Sequence, residues 1–328
     1  MKQYAYATRL NSFKVNAQHY WAGLNRNVNA LDLVARAATV KGLNEVDFNY
    51  PDHVDGLVEA EIPNKLAELG IRLNGYAMRY YTDPGFKLGA FTNPDKSVRR
   101  AAIDLTKRGL DSLASVGGNL MTLWMGQDGF DYAFQIDYAR AWDDTISAIR
   151  EVADHNREID ISIEYKPNEP RSFSLMPDVA TTLLAIRDID RPNLGVTLDF
   201  AHILYADEMP AYAAMLVHRH SRLLGIHLND GYGKRDDGLM VGSVHPLQTI
   251  ELLYVLDKIG YTGAIYFDTF PDTTGLDPVS ECSVNIQTVD AMRRIVDRLN
   301  GNDLLASAIL AQDAVTSQKI VQSAMYGL

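Results

Sequence analysis

Eight short apolar runs punctuate the chain, and longer stretches with a three- and four-residue hydrophobic step lie between them. The runs are AYATRL (5–10), EVDFNY (45–50), RLNGYAM (72–78), NLMTLW (119–124), IDISIEY (159–165), LGVTLDF (194–200), LLGIHLN (223–229) and GAIYFDTF (263–270). Their length and their content of β-branched and aromatic residues predict strands. Segments 97–117, 137–155, 177–189, 245–260 and 284–300 carry the helical step, and several end in Gly or Asn, as helix stops do. Strand–helix alternation repeated eight times predicts an α/β fold, a closed (β/α)8 TIM barrel over residues 1–300. A doubly wound open sheet would display a Gly-rich phosphate turn after its first strand, and none is visible. The tail 301–328 is helical in pattern and predicts a C-terminal helical extension packed on the barrel or on a second subunit.

A β/α barrel gathers its chemistry where the strands end, at the C-terminal face. The fourth run ends in Trp124, the fifth in Glu164 with Lys166 just beyond, and the sixth in Asp199, followed by His202. The seventh ends in His227, with Asn229 and Asp230 next, and the eighth reaches Asp268. Glu164 and Lys166 share one face of an extended chain, so they form either an ion pair or part of a site. Successive strand ends bearing a carboxylate or an imidazole favour the site. Glu164, Asp199, His227 and Asp268 would repel one another in a dry pocket unless a cation sits among them. Oxygen ligands with one nitrogen suit Mn²⁺, with Co²⁺ or Mg²⁺ as alternatives.

Other residues read less sharply. Asp236 and Asp237, in GYGKRDDGLM, are candidates for a second cation. Trp124 either walls an apolar pocket or packs in the core. His19, Trp21 and His53 lie in loops after the first two strands, and Arg79 near the end of the third either binds an anion or pairs with an acid.

Composition narrows the partners. The 328 residues carry a formal net charge of −11, which argues against a nucleic-acid partner held through phosphates. One cysteine, Cys282, leaves no internal disulfide framework. No apolar run approaches the length of a membrane span or of a secretory signal, so a cytoplasmic protein is expected.

Several stretches resemble the xylose isomerase-like superfamily of metal-dependent sugar isomerases on a β/α barrel. IEYKPNEPR (163–171) is similar to its Glu-x-Lys-Pro-Asn-Glu-Pro-Arg motif, LDFAH (198–202) to its acid-x-x-His motif, and FKLGAFTNPDKSVRR (86–100) to the segment entering its third helix. Weaker likeness in LWMGQDG, IHLNDGYGKRDDG and YFDTF extends the resemblance over about residues 45 to 270.

The resemblance implies that Glu164, Asp199, His227 and Asp268 hold the first metal, and that His202, Asp236 and Asp199 hold a second. It implies that Lys166 polarises the carbonyl of an open-chain sugar, that Trp124 walls the substrate pocket, and that His202 lies against the substrate. A histidine at 227, where xylose isomerases proper carry an aspartate, resembles the L-rhamnose isomerase branch. Departures are the missing His–Asp pair after strand 2, where only His53 stands, the adjacency of Asp236 and Asp237, and a short C-terminal arm.

The implied activity is aldose–ketose isomerisation by a metal-assisted 1,2-hydride shift, in a homodimer or homotetramer. A ketose 3-epimerase on the same ring is the nearest alternative. An apurinic endonuclease-like enzyme and a non-catalytic sugar-binding paralogue are more distant ones. No phosphate cradle is visible, which points to a neutral sugar, while Arg79 and Arg171 leave an anionic one open.

Overall fold

The computed structural model describes residues 4–327. Eight parallel strands close into a barrel: β1 (Tyr6–Arg9), β2 (Glu45–Tyr50), β3 (Arg72–Met78), β4 (Leu120–Trp124), β5 (Asp160–Glu164), β6 (Leu194–Asp199), β7 (Leu223–Leu228) and β8 (Ile265–Phe267). Neighbours in the barrel are neighbours in sequence, and β8 pairs with β1 to close it. All eight predicted strands are present, and the (β/α)8 expectation holds.

Each strand is followed by a helix on the outside. These are α1 (Ala30–Ala37), α2 (Glu61–Leu69), α3 (Lys96–Ser115), α4 (Tyr138–His155), α5 (Val179–Ile189), α6 (Pro210–His220), α7 (Pro246–Lys258) and α8 (Pro278–Asn300). Asparagine or aspartate side chains cap the first turns of α1, α3, α4, α5 and α8, satisfying amides that the helix itself leaves unpaired. The expected start of α8 at 284 lies too late. Asp277 caps the helix and Pro278 occupies its first turn, where a proline costs no hydrogen bond. Helices α1 and α2 escape the periodicity reading because each is only a little over two turns long.

Alternate strand residues face outward into an apolar layer under the helices, among them Val46, Phe48, Met78, Leu123, Ile163, Leu198, Ile226 and Phe267. The opposite residues face the barrel axis and are largely polar. Ser162 and Thr197 share a hydrogen bond of 2.6 Å there. Gly109 lets α3 approach the sheet: a Cβ at this position would meet Met78 Sδ and Tyr50 Cδ1 at 3.0 Å each. Beyond α8, helices α9 (Asp303–Leu310) and α10 (Ala314–Tyr326) fold back on the barrel, where Leu305 and Ala308 are buried and Ile320, Val321 and Met325 pack on the core.

Strand registers set the height of the strand ends. Trp124 stands opposite Glu164, Asp199 opposite His227, and His227 opposite Tyr266. Register shifts at Val46/Asp47 and Val196/Thr197 adjust two of the ladders. Asn193 ties the lower ends of β5 and β6: its Nδ2 donates to the carbonyls of Ala153 (3.1 Å) and Ile159 (3.0 Å), while its own carbonyl accepts from Ile161 at 2.7 Å. Replacing Asn193 with alanine strands those buried carbonyls, and we expect a loss of about 1–3 kcal/mol in stability. A urea midpoint unchanged from the parent would refute that role.

Candidate active site

The four residues expected to form the first ring do converge. Glu164 closes β5, Asp199 closes β6, His227 is the penultimate residue of β7 and Asp268 follows β8. Each offers one ligand atom, and these atoms lie within 4.8 Å of one another. Glu164, Asp199 and His227 are buried, and Asp268 is half-buried.

Asn229, just past β7 and fully buried, holds the ring together. Its Nδ2 donates to both carboxylate oxygens of Asp199 (3.3 and 3.1 Å) and to the carbonyl of Asp268 (3.1 Å), and its Oδ1 accepts from the amide of Ala201 (2.8 Å). Asp199 also caps the short helix that follows β6, accepting from the amide of His202 at 3.0 Å. The His227 ring lies 4.2 Å from the Tyr266 ring, centroid to centroid. Its Nδ1 sits 3.4 Å from Glu164 Oε2, is shielded from solvent and has no hydrogen-bond partner.

A second group gathers Asp199, His202 and Asp236. His202 Nδ1 donates to the carbonyl of Tyr165 at 3.0 Å, which leaves Nε2 facing Asp236 Oδ2 at 3.1 Å. A backbone carbonyl that fixes the tautomer in this way is the usual outer partner of a metal-ligating histidine. Asp236 Oδ1 is buried without a partner. Asp237, by contrast, turns into its own loop, accepting from the Tyr232 amide and from Arg235 Nε at 2.8 Å each. The two adjacent acids therefore do different work, and only Asp236 joins the cluster.

Lys166 does not pair with Glu164. Its ammonium lies 3.1 Å from Glu169 and 3.1 Å from Asp236, and 5.5 Å from the centre of the Trp124 ring. Burial alone would lower its pKa, but Asp236 and Glu169 outweigh that and raise it, so it remains an ammonium. Trp124 leans on Gly126, where a Cβ would meet the indole at 2.5 Å, and its Nε1 is buried without a partner.

The electrostatics divide the ring. Burial pushes the Asp199 carboxyl up to about 7, and the neighbouring acids add to this against His202. Burial also raises Asp268, although Arg9 and His227 oppose it. Burial would raise Glu164 too, yet His227 and His202 bring it down to about 2. Both imidazoles, which burial alone would keep neutral, are pulled up to about 9 by the carboxylates around them. Sharing protons among crowded acids and histidines marks an excess of buried negative charge. That excess, the unpartnered His227 Nδ1 and Asp236 Oδ1, and the oxygen-rich donor set all fit a divalent cation of the Mn²⁺ or Mg²⁺ kind.

The remaining sequence candidates separate. His19 is exposed and Trp21 packs on the edge of the core. His53 is buried, receives the Asn49 amide on Nδ1 and donates from Nε2 to Asn11 Oδ1 at 2.9 Å. Burial, with help from nearby cations, lowers its pKa to about 3, so it stays neutral. Arg171 is tied to Asp131 at 2.8 Å and pins a two-stranded ribbon, Gly129–Phe130 with Phe173–Ser174.

Residues to which the sequence reading gives no role include Asn229, Glu169, Tyr266, Arg9 and Asp47. Arg9 Nε stands 3.6 Å from Asp268 while its Nη1 holds Asp272 at 2.7 Å. Asp47 faces the barrel axis, accepts from Asn74 Nδ2 at 2.7 Å and is pushed by burial up to about 7. A charged residue in the middle of the apolar run EVDFNY was the one sequence signal for Asp47.

Comparison with known proteins agrees with this architecture. Residues 34–299 match the family described as xylose isomerase-like TIM barrel, a wider span than the sequence motifs alone suggest. A xylose isomerase from Thermus thermophilus is 30% identical over 209 residues; the match covers 62% of this chain and 54% of that protein, about half its length. A D-tagatose 3-epimerase-like protein superposes with a TM-score of 0.70 at 16% identity, covering 90% of this chain and 98% of that one. A D-allulose 3-epimerase from Methylomonas sp., solved with D-allulose, gives 0.67 at 15% identity, covering 88% and 97%. At those identities the structural likeness is one of fold. With a family match across most of its length and a closed eight-stranded parallel barrel, the chain belongs to the xylose isomerase-like TIM-barrel family.

Proposed function

We propose that the protein is a Mn²⁺-dependent aldose–ketose isomerase acting on an open-chain sugar by a 1,2-hydride shift, in the cytoplasm, as a homodimer or homotetramer. Residues 1–300 would form the catalytic barrel and 301–328 an extension. Exposed apolar side chains on that extension, Leu310 at 87% and Val315 at 82%, support an assembly through it. Among the described residues, no helix is long and apolar enough to cross a membrane.

The observation that carries the reading is the buried Lys166 ammonium at the rim of the carboxylate ring. Glu164, Asp199, His227 and Asp268 would hold the first cation, and His202, Asp236 and Asp199 a second. A cation held there would supply Lewis-acid stabilisation to the substrate's oxygens. Lys166 would donate a hydrogen bond to the O1 atom as negative charge develops there, a role its raised pKa suits and that of a proton acceptor does not. Trp124, held by Gly126, would cover the reacting carbons and keep water away from them. His202 would face the substrate from the Asp236 side while its tautomer is fixed by the Tyr165 carbonyl.

Assayed against a panel of aldoses and ketoses, the protein is expected to turn over with Mn²⁺, to lose activity with EDTA and to regain it when Mn²⁺ is restored. Lys166→Met should keep the parent's circular dichroism and metal content while kcat falls by about 10²–10³-fold. A variant that unfolds or loses metal would instead make Lys166 a structural partner of Asp236 and Glu169. Turnover in deuterium oxide should leave no solvent label on product carbon. Stoichiometric label at C3 would turn the assignment toward a 3-epimerase, which moves a proton through a protein base.

A further inference from the structure

The strand row that carries Glu164 also carries two donors that the isomerase reading leaves unused. Arg79 follows β3, and its amide extends the ladder by donating to the Tyr50 carbonyl at 2.9 Å. Met78 pairs with Leu123 and Trp124 pairs with Glu164, so Arg79, Trp124 and Glu164 form one row across β3, β4 and β5 on the axial face. The Arg79 guanidinium lies 5.6 Å from the Tyr81 ring, and Tyr81 meets Trp124 edge-on at 5.1 Å. Arg79 Nε and Trp124 Nε1 are both buried without a hydrogen-bond partner.

The buried and half-buried cations Lys166, Arg9 and Arg171 at this end of the barrel are committed. Lys166 is held by Glu169 and Asp236, Arg9 by Asp268 and Asp272, and Arg171 by Asp131. No carboxylate among the described residues comes within ion-pair distance of Arg79. Its place in the strand row sets it on the axial face beside Trp124 and Glu164, and its charge is felt at Glu164, Tyr266 and His53.

A half-buried guanidinium with no acid beside it is costly unless an anion completes it. We propose that Arg79, with the Trp124 indole N–H, forms a subsite for a carboxylate at the end of the sugar chain away from the reacting carbons, making the substrate a sugar acid. This rests on the sugar-isomerase reading above and deepens it. The planar fork of arginine matches a carboxylate two bonds to two oxygens, and the indole supplies one further donor. A phosphate dianion calls for several cations or a cluster of backbone amides, and it would bring twice the charge toward the carboxylate ring. A neutral hydroxyl would leave the guanidinium without a direct ion-pair partner.

Binding of acyclic, non-reacting probes separates these cases without relying on turnover. The Mn²⁺-loaded protein and its Arg79→Met and Arg79→Lys variants are titrated calorimetrically with xylitol, xylonate and xylitol 5-phosphate, and melting curves confirm that each variant folds. Xylonate should bind the parent about tenfold more tightly than xylitol, the difference made by a charge-assisted pair. Arg79→Met should erase that preference with xylitol binding unchanged, and Arg79→Lys should restore only part of it. A xylonate preference that survives Arg79→Met would assign it to the metal and overturn the subsite, as would an Arg79-dependent preference for the phosphate. Xylitol binding with no preference for xylonate sinks this inference alone, whereas a parent that binds none of the three sinks the sugar reading with it.

Discussion

Crowding of like charge at the end of a closed barrel governs this molecule. Glu164, Asp199, Asp236 and Asp268 face a common space with Asp47 below them, and burial removes the water that would screen their repulsion. The protein's own remedies are visible and incomplete. Lys166 compensates Asp236, Arg9 compensates Asp268, and two imidazoles take up protons they would not hold in water. Even so, burial first, and the neighbouring acids after it, push Asp47 and Asp199 up to about 7. A cluster of buried acids and imidazoles at this spacing could hold a divalent ion, which would relieve the repulsion.

Such a ring survives only if its members cannot swing apart. Strand register gives the coarse placement, because four neighbouring strands end at nearly the same height. Asn229 gives the fine one. A single amide side chain spans the end of β6, the start of the next helix and the segment after β8, using both of its polar atoms. The Tyr165 carbonyl does the same for His202, by choosing which ring nitrogen is free. These supports are neutral, so they orient the acids without consuming the charge that a cation needs.

How far the sequence reveals this depends on where each residue sits relative to its strand. Glu164, Asp199, His227 and Asp268 are legible because each interrupts an apolar run at its end, and a barrel collects strand ends in one place. Asp47, Tyr266 and Arg9 are not, because facing the axis depends on register, and β2 carries a shift at Val46/Asp47 that no local pattern announces. The partners of Lys166 are hidden for a related reason. Two residues on one face of an extended chain invite a pairing, but the strand stops at Glu164, and the following segment carries the ammonium toward Glu169 and Asp236. Asp236 and Asp237 are indistinguishable by type, and only the turn that ties Asp237 to Tyr232 and Arg235 separates them.

Asp236 is where the metal question and the chemical question meet. One of its oxygens faces both His202 Nε2 and Lys166 Nζ at 3.1 Å, and the other has no partner. Any cation drawn to the Asp199–His202–Asp236 group must therefore share that carboxylate with the lysine. The competition is tolerable because Glu169 holds the ammonium from the far side, and because the Trp124 ring face adds an attraction that does not depend on Asp236. Lys166 thus stays charged and in place whichever way the Asp236 oxygens are used. A fixed cation at that point is a hydrogen-bond donor and not a base, and this is the physical ground on which the role proposed for Lys166 rests.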